Sequence, residues 1–419
     1  MLFNYSLIAA FGLALAEVSY KGQQVLDCQV SDRATAQKFE KFDIFNEKNG
    51  ITTVRVKNEE QFKQANQFAK CSVRESNLEN IVSKQSRFIR RDDAAAGSLV
   101  LSDEDFFKNY QSYETIKAQF QHWAKKYNKY ATFNKSIGKT VEGRDIFSID
   151  ITDKTRCGKK KDIVYLAGLH AREWIAPATA SYIANRLLVE AETDKQVQSH
   201  LRHFVYRIIP SGNPDGYEYT RNTDRLWRKN RRNNGDGTFG VDLNRNFDNH
   251  WGVVGASNDT SDETYLGTAP HSEPEVASIT KYVSSLKHLY GAIDWHAYGQ
   301  LILRNWGWTM EPSTNEAILA PMGDKIKAAI DAHGYNFTSQ LSAGLYPAGG
   351  AADDWFAENA KAVSLTLELC PDNDDIGFEL PPKDLLACAK ASYDGSKVFS
   401  QFLIDNPNIP HNGYTTPQV

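Results

Sequence analysis

Short apolar runs alternate with helical stretches from about residue 98 onward, and this alternation constrains the fold more than any other feature. The apolar runs are short enough for buried strands and comprise Asp162–Gly168, Phe204–Ile209, Gly291–Trp295 and Ala362–Leu367. The helical patterns cover Pro177–Ala191, Glu273–Leu286, Asn315–His333 and Lys383–Ile404. This alternation predicts an α/β fold with a mixed, largely buried twisted sheet and helices on both faces.

The 419-residue chain is long enough for one large core and a smaller unit. We expect the smaller unit over residues 17–91 and the larger one over residues 92–419. In the smaller, N-terminal unit the pattern predicts strands over Gly22–Cys28 and Gly50–Val56, and helices over Ala34–Phe45 and Glu59–Ala69. This composition indicates a small α+β unit. Because so short a segment is near the lower size limit for an independent core, we expect it to dock onto the larger unit.

The first sixteen residues predict a secretory signal peptide. They contain an apolar stretch and end in Ala14-Leu15-Ala16, a small-x-small pattern typical of signal cleavage, although a buried first strand or helix is the alternative. Later apolar runs are too short for a membrane-spanning helix. The formal net charge of −4 provides no field that would favour nucleic acid or an anionic membrane. We therefore expect a secreted monomer that binds neither.

A charged stretch of small residues between Arg87 and Gly97 predicts an exposed linker at the end of the smaller unit. Its Arg90-Arg91 pair offers a site to a trypsin-like or dibasic protease, or is an ordinary solvated charge pair. Secretion permits disulfides, and Cys28 and Cys71 could pair within the smaller unit. The remaining cysteines leave one odd thiol, and their pairing stays open: Cys157, Cys370 and Cys388.

Polar side chains follow three of the predicted strands, namely His170, His296 and Glu368. Since open α/β sheets bind ligands beyond the carboxyl ends of their strands, we expect these groups to share one crevice. His170 and Glu173 are three residues apart, which in the first turn of a helix places both on one face. Both residue types bind zinc, and His296 is the candidate for a third ligand, with the fourth position open. A surface His–Glu pair and a structural His296 are the alternatives.

Six short motifs occur in an order that resembles the metallocarboxypeptidases of the pancreatic A/B type. They comprise His170–Trp174, Asn213–Tyr217, Arg225–Lys229, Val241–Asn246, Asp294–Tyr298 and Thr366–Leu369. The resemblance extends from about residue 105 to 404, and the N-terminal unit resembles the activation domain of these enzymes. It implies a carboxypeptidase-like fold behind an open-sandwich activation domain. It also implies a zymogen, closest to a procarboxypeptidase B-like precursor, that removes single C-terminal residues from peptides.

The resemblance assigns roles to the polar groups. His170, Glu173 and His296 would hold one zinc ion; carboxypeptidase A is itself a standard example of such a site, so this assignment rests on the resemblance. Glu368 would be the general base that accepts a proton from the attacking water. Asp242 would orient His170 through its other ring nitrogen, or would be a turn residue.

Further roles concern the substrate. Arg228 would stabilise the oxyanion, a contribution of about 3 kcal/mol for one such donor. The clamp for the substrate's terminal carboxylate would be Asn244, Arg245 and Tyr346, in which the planar arginine fork suits a carboxylate. Residues that would line further subsites are Arg172, Tyr298 and Phe378, although the two aromatic side chains could be ordinary core residues.

Asp353 falls at the position that lies at the base of the specificity pocket in this family, where B-type members carry aspartate and A-type members an apolar residue. A carboxylate in a dry pocket favours lysine or arginine side chains. The resemblance therefore predicts removal of C-terminal Lys and Arg, with A-type preference as the alternative. A second alternative has Asp353 pointing outward and Asp354 capping a helix. Asp294 is unusual near the pocket wall, and another acid there would also favour a cation.

Two competing interpretations use the same fold. A non-catalytic binding protein would have lost a metal ligand, the base or the clamp, and the sequence retains all of them. A related zinc amidohydrolase that acts on another acyl substrate would not need the carboxylate clamp. We therefore expect the partners to be peptides with a free C-terminus and one activating protease.

Overall fold

A computed structural model describes residues 17–82, 99–372 and 377–409 of the chain. The predicted signal segment, the Arg90-Arg91 pair and the middle of the acidic segment after Cys370 lie outside these residues. Within the described ranges, no helix has the length and apolar character that a membrane crossing requires.

The larger unit is built on a mixed sheet of eight strands in the order β11-β10-β12-β9-β7-β8-β6-β5. Its four central strands, β12, β9, β7 and β8, are parallel, and the neighbours β10 and β6 are antiparallel to them. The strands are β5 Ala131–Lys139, β6 Asp145–Ile151, β7 Lys161–Ala167, β8 Phe204–Ile209, β9 Leu289–Ala297, β10 Leu301–Arg304, β11 Thr338–Leu341 and β12 Val363–Leu369. The four predicted strands are the four parallel central ones. Their antiparallel neighbours make the sheet mixed, so the predicted mixed sheet is confirmed.

Helices cover both faces of this sheet. Side chains alternate along β7, so that Ile163 and Tyr165 belong to one apolar cluster whereas Val164 and Leu166 belong to another. Each strand therefore has to be apolar on both sides, which explains its continuous apolar run. The helices are Asp103–Phe106, Tyr113–Lys126, Ile175–Val189, Lys195–His203, Pro214–Asn222, Pro274–Ser284, Glu316–Asp331, Ala352–Glu358 and Pro382–Asp405.

The N-terminal unit is an antiparallel sheet with two helices against one core, in the order β2-β3-β1-β4. Its strands are β1 Gln24–Gln29, β2 Asp43–Lys48, β3 Ile51–Val56 and β4 Cys71–Glu75, and its helices are Arg33–Phe39 and Glu59–Phe68. The helix predicted over Ala34–Phe45 is wrong in its second half. Residues from Asp43 onward pair with β3 instead, because the sheet supplies partners that local propensity cannot register.

Two disulfides are present among the described residues. Cys28–Cys71 joins β1 to β4, the pairing that the sequence permitted. Cys370–Cys388 ties the end of β12 to the helix Pro382–Asp405, and Cys157 is the free, exposed thiol. Each unit therefore has one bridge that ties a strand to a neighbouring element.

The N-terminal unit packs against the larger unit beside the carboxyl ends of the central strands. Asp43 of β2 accepts a hydrogen bond from Nη1 of Arg172 at 2.7 Å, and the Tyr20 hydroxyl donates to Asp224 at 2.5 Å. At the end of β2, the Lys48 ammonium lies 2.6 Å from Oδ1 of Asp372. The small unit therefore lies directly over the edge where the sequence predicts a functional crevice.

Candidate active site

Three predicted metal ligands converge beyond the carboxyl ends of β7 and β9. Nδ1 of His170 lies 2.8 Å from Oε1 of Glu173, and Nδ1 of His296 lies 3.0 Å from Oε2 of the same carboxylate. The two Nδ1 atoms are 3.0 Å apart. All three side chains are buried, and in the described part of the chain they form the one group of three that could hold a metal ion. Residues separated by 126 positions in sequence therefore share one donor set.

The segment that carries His170 and Glu173 is a turn and not the first turn of a helix. The helix that follows begins at Ile175, after Trp174, and lacks a side-chain cap. Gly168 has a φ of 68°, a conformation that favours glycine, and it reverses the chain directly after β7. The amide of Glu173 donates to the carbonyl of His170 at 3.4 Å, which closes the turn. His170 and Glu173 converge as predicted, but they do so in a turn that follows Gly168 and not in a helix.

Carboxylates hold the outer nitrogens of both imidazoles. Nε2 of His170 lies 3.1 Å from Oδ1 of Asp242, and Nε2 of His296 lies 2.8 Å from Oδ2 of Asp294. Such bonds fix the tautomer and direct Nδ1 of each ring inward. Asp242 occupies the place that the resemblance implies, whereas sequence reasoning missed the bond from Asp294. The sequence signal for that bond is the two-residue separation of Asp294 and His296, because residues two apart on a strand share one face.

The donor set fits zinc. Two imidazole nitrogens and one carboxylate are typical zinc ligands that leave a position open, and all the ligand atoms lie within 4.8 Å of one another. The pKa of Glu173 is lowered despite its burial, because His170 and His296 favour the charged form. The ionised, acceptor-only form is the one that binds a metal.

Glu368 lies beside this centre because β12 pairs in parallel with β9, where Glu368 stands opposite His296. Burial raises the pKa of Glu368 to about 8. A carboxyl group with such a pKa can both accept and return a proton near neutral pH. Arg228 lies close by and donates through Nε and Nη2 to Oδ2 of Asp242, at 3.1 and 2.8 Å. One aspartate therefore orients both a metal ligand and an arginine.

A cleft of about 440 Å³ opens over the metal centre. Arg245 reaches it with a guanidinium held by the carbonyls of Gly255 and Asn244, at 2.7 and 2.8 Å, and lying 5.5 Å from the ring of Tyr346. The side-chain oxygen of Asn244 accepts from the amide of Ala352. Residues of the larger unit that line the cleft include His170, Glu173, Arg228, Arg245, Tyr346, Glu368 and Phe378.

Arg172 forms a cluster with Tyr298 and Phe378, two residues that line the cleft. The guanidinium of Arg172 lies 4.2 Å from the centre of the Phe378 ring, and Tyr298 meets the same ring edge-on at 5.0 Å. Arg172 is completely buried because the N-terminal unit covers it with Asp43 and Phe45. Residues of the N-terminal unit thus occupy the place that the resemblance gives to substrate.

Asp353 is buried in the interior and does not point outward. The Thr366 hydroxyl bonds to it, but its Oδ2 has no hydrogen-bond partner among the described residues. Burial and the nearby Asp294 raise its pKa to about 6. Asp354 is no helix cap, because its carboxylate accepts from the side chain of Asn305 and from two loop amides. Both parts of the outward alternative therefore disagree with the geometry.

A mixed α/β sheet that gathers two histidines and a glutamate at its strand ends, next to a second glutamate and an arginine, defines a zinc hydrolase. Residues 116–395 match the zinc carboxypeptidase family. The chain belongs to this family and is a metallocarboxypeptidase.

The chain is also similar to individual proteins named as carboxypeptidases. The chain is 37% identical over 263 residues to carboxypeptidase O of Bos taurus, a match that covers 62% of this chain and 69% of the relative. It is 33% identical to carboxypeptidase B of Astacus astacus, covering 71% and 98%. The crystal structure of carboxypeptidase A from Helicoverpa armigera superimposes with a TM-score of 0.84 at 25% identity, covering 94% of this chain and all of that one.

Proposed function

We propose that this metallocarboxypeptidase is a secreted zymogen that removes C-terminal lysine and arginine from peptides. The observation that supports the preference is the buried carboxylate of Asp353, which lacks an ion pair with any described lysine or arginine and has one oxygen without a partner. A buried anion is costly without a cation, and the side chain of a basic substrate would supply one.

His170, Glu173 and His296 would hold one zinc ion, which supplies Lewis-acid polarisation at this place when bound. Asp242 would keep the imidazole of His170 aimed inward, as its 3.1 Å contact supports. Glu368 would take the proton of the attacking water and return it to the leaving amine. The guanidinium of Arg228 would face the charge that develops on the carbonyl oxygen.

Asn244, Arg245 and Tyr346 would bind the free terminal carboxylate of the substrate. The support is the position of the Arg245 guanidinium, which two carbonyls hold at the cleft wall near the Tyr346 ring. A planar guanidinium binds a carboxylate through two parallel hydrogen bonds. Recognition of that group would make the enzyme an exopeptidase. Arg172, Tyr298 and Phe378 would contact the preceding residues of the substrate.

The N-terminal unit, residues 17–91 with the linker, would act as an activation domain that precedes the catalytic domain of residues 92–419. The support is its position, since residues between Val30 and Thr52 line the same cleft and Asp43 pairs with Arg172. Cleavage near Arg90-Arg91 by a trypsin-like or dibasic protease would release it. The signal pattern of residues 1–16 supports secretion.

One set of assays tests the proposal. The trimmed protein is offered peptides that are identical except for a terminal Arg, Phe or Glu, together with the Arg peptide amidated at its C-terminus. We expect the Arg peptide to turn over fastest and the amidated peptide to resist cleavage. Faster turnover of the Phe peptide would establish A-type preference instead. Cleavage of the amidated peptide would contradict exopeptidase action.

A further inference from the structure

Asp294 has one carboxylate oxygen that the metal centre does not use. Its Oδ2 lies 2.8 Å from Nε2 of His296, whereas its Oδ1 is buried and has no hydrogen-bond partner in the described part of the chain. The side chain is fully buried, within strand β9. Buried polar atoms are nearly always satisfied, so an orphaned carboxylate oxygen needs an explanation.

The sheet register places this oxygen near a second one of the same kind. Asp294 stands opposite Thr366 on the neighbouring parallel strand β12, and the Thr366 hydroxyl bonds to Asp353. Asp353 is likewise buried, and its Oδ2 is also without a partner. Two carboxylates from different elements therefore flank one threonine, each with one free oxygen.

Neither carboxylate pairs with a lysine or an arginine in the described part of the chain. Across the described ranges, the ion pairs of Asp294 involve the imidazole of His296 alone, and Asp353 has none. Two buried acids close together repel each other unless a positive group lies between them. The imidazole of His296 reaches only Oδ2 of Asp294, and no described side chain reaches the two free oxygens, so we look for their partner in the ligand.

The ends of lysine and arginine differ in how they could bind the two free oxygens. An ammonium is a compact point charge that one carboxylate satisfies well, whereas a guanidinium is a planar fork whose donors can reach two acceptors at once. We propose that Asp294 is a second acidic specificity determinant, which together with Asp353 receives the end of a C-terminal arginine and makes the pocket favour arginine over lysine. This inference rests on the proposed preference for basic residues and narrows it.

The test compares trimmed wild-type protein with Asp294→Asn and Asp353→Asn on peptides that end in Arg, Lys or Phe. Asparagine keeps the shape of aspartate, and its amide oxygen can still accept from His296. We expect wild-type kcat/KM to rank Arg above Lys and Lys above Phe. In Asp294→Asn the Arg-to-Lys ratio should fall about tenfold or more, since one charge-assisted hydrogen bond is lost.

The ratio separates pocket effects from effects on the metal. A disturbed His296 lowers turnover of all three peptides by the same factor, so an unchanged Arg-to-Lys ratio in Asp294→Asn overturns the inference. Asp354→Asn is the matched control, because the oxygens of Asp354 are bonded to Asn305 and to loop amides. It should leave the ratio at the wild-type value, and an equal fall there would also count against Asp294.

A second measurement needs no variant. Free arginine and free lysine compete with substrate as product analogues, and arginine should inhibit wild-type protein at a concentration about tenfold lower. Equal inhibition constants would overturn the inference even if Asp294→Asn failed to fold. A wild-type enzyme that prefers the Phe peptide would instead defeat the proposed basic preference itself, whatever the variants do.

Discussion

The contact between Asp43 and Arg172 provides the sharpest test of how the N-terminal unit affects activity. Oδ1 of Asp43 accepts from Nη1 of Arg172 at 2.7 Å, and Oδ2 lies 3.3 Å from Nη1 of Arg55. All three side chains are buried. Burial alone would raise the pKa of Asp43, but the two guanidiniums hold it below its ordinary value. The carboxylate is therefore charged at neutral pH and bridges the two units.

Asp43→Ala would leave two guanidiniums buried without their shared acid. Removing one partner of a buried pair costs about 3–5 kcal/mol. Each 1.4 kcal/mol is a factor of ten, so docking of the N-terminal unit should weaken by about 100-fold to a few thousandfold. Because the docked unit lines the cleft, we expect the untrimmed variant to hydrolyse a peptide ending in Arg much faster than untrimmed wild-type protein.

The assay measures turnover by untrimmed proteins before and after trimming. Asp27→Ala is the matched control, because Asp27 bonds to Thr53 and Arg74, within the N-terminal unit itself. It should remain as inactive as the wild type. After trimming, all three proteins should have the same activity, since the altered residue has been removed. A folded Asp43→Ala protein that is no more active than the wild type before trimming would refute the reasoning.

Three further predictions concern the catalytic unit. Glu368→Gln should lower kcat by orders of magnitude while the zinc content stays at one per chain, and a variant that retains turnover would rule out the general-base role. A chelator should abolish turnover and lower the Tm, and added zinc should restore both, because a ligand that binds only the folded state stabilises it. Burial lowers the pKa of His200 to about 4, against 6.5 when exposed, so the unfolded chain binds the extra proton first. This one group should therefore cost about 3 kcal/mol of stability as the pH drops from 6.5 to 4, so denaturant titrations should show wild-type protein losing about that much relative to His200→Gln over this range.

The central part of the fold could be predicted from the sequence. The parallel strands are buried on both faces, so each one is a continuous apolar run that local pattern reveals. The residues at the ends of these runs lie at one edge of the sheet, so the pattern alone predicts that His170, His296 and Glu368 meet there. Strands β5, β6, β10 and β11 were not predicted. The two edge strands, β5 and β11, carry many polar residues, and the pairing of all four strands depends on distant neighbours.

The site could be predicted in its residue types but not in its contacts. His170 and Glu173 lie in a turn because Gly168 reverses the chain, whereas spacing alone is equally compatible with a helix. The bond between Asp294 and His296 depends on which face of β9 looks towards the metal centre. The bridge from Asp43 to Arg172 spans 129 positions, and no local pattern records such a partner.

The position of β12 within the sheet has a consequence for how the molecule is made. This strand, near the end of the chain, inserts between β9 and β10, which are both synthesised before it. A nascent polypeptide on the ribosome therefore holds an unfinished sheet until residue 369 has emerged, and it lacks Glu368 throughout. If Glu368 is the general base that we propose, products of premature termination upstream of β12 would be inert.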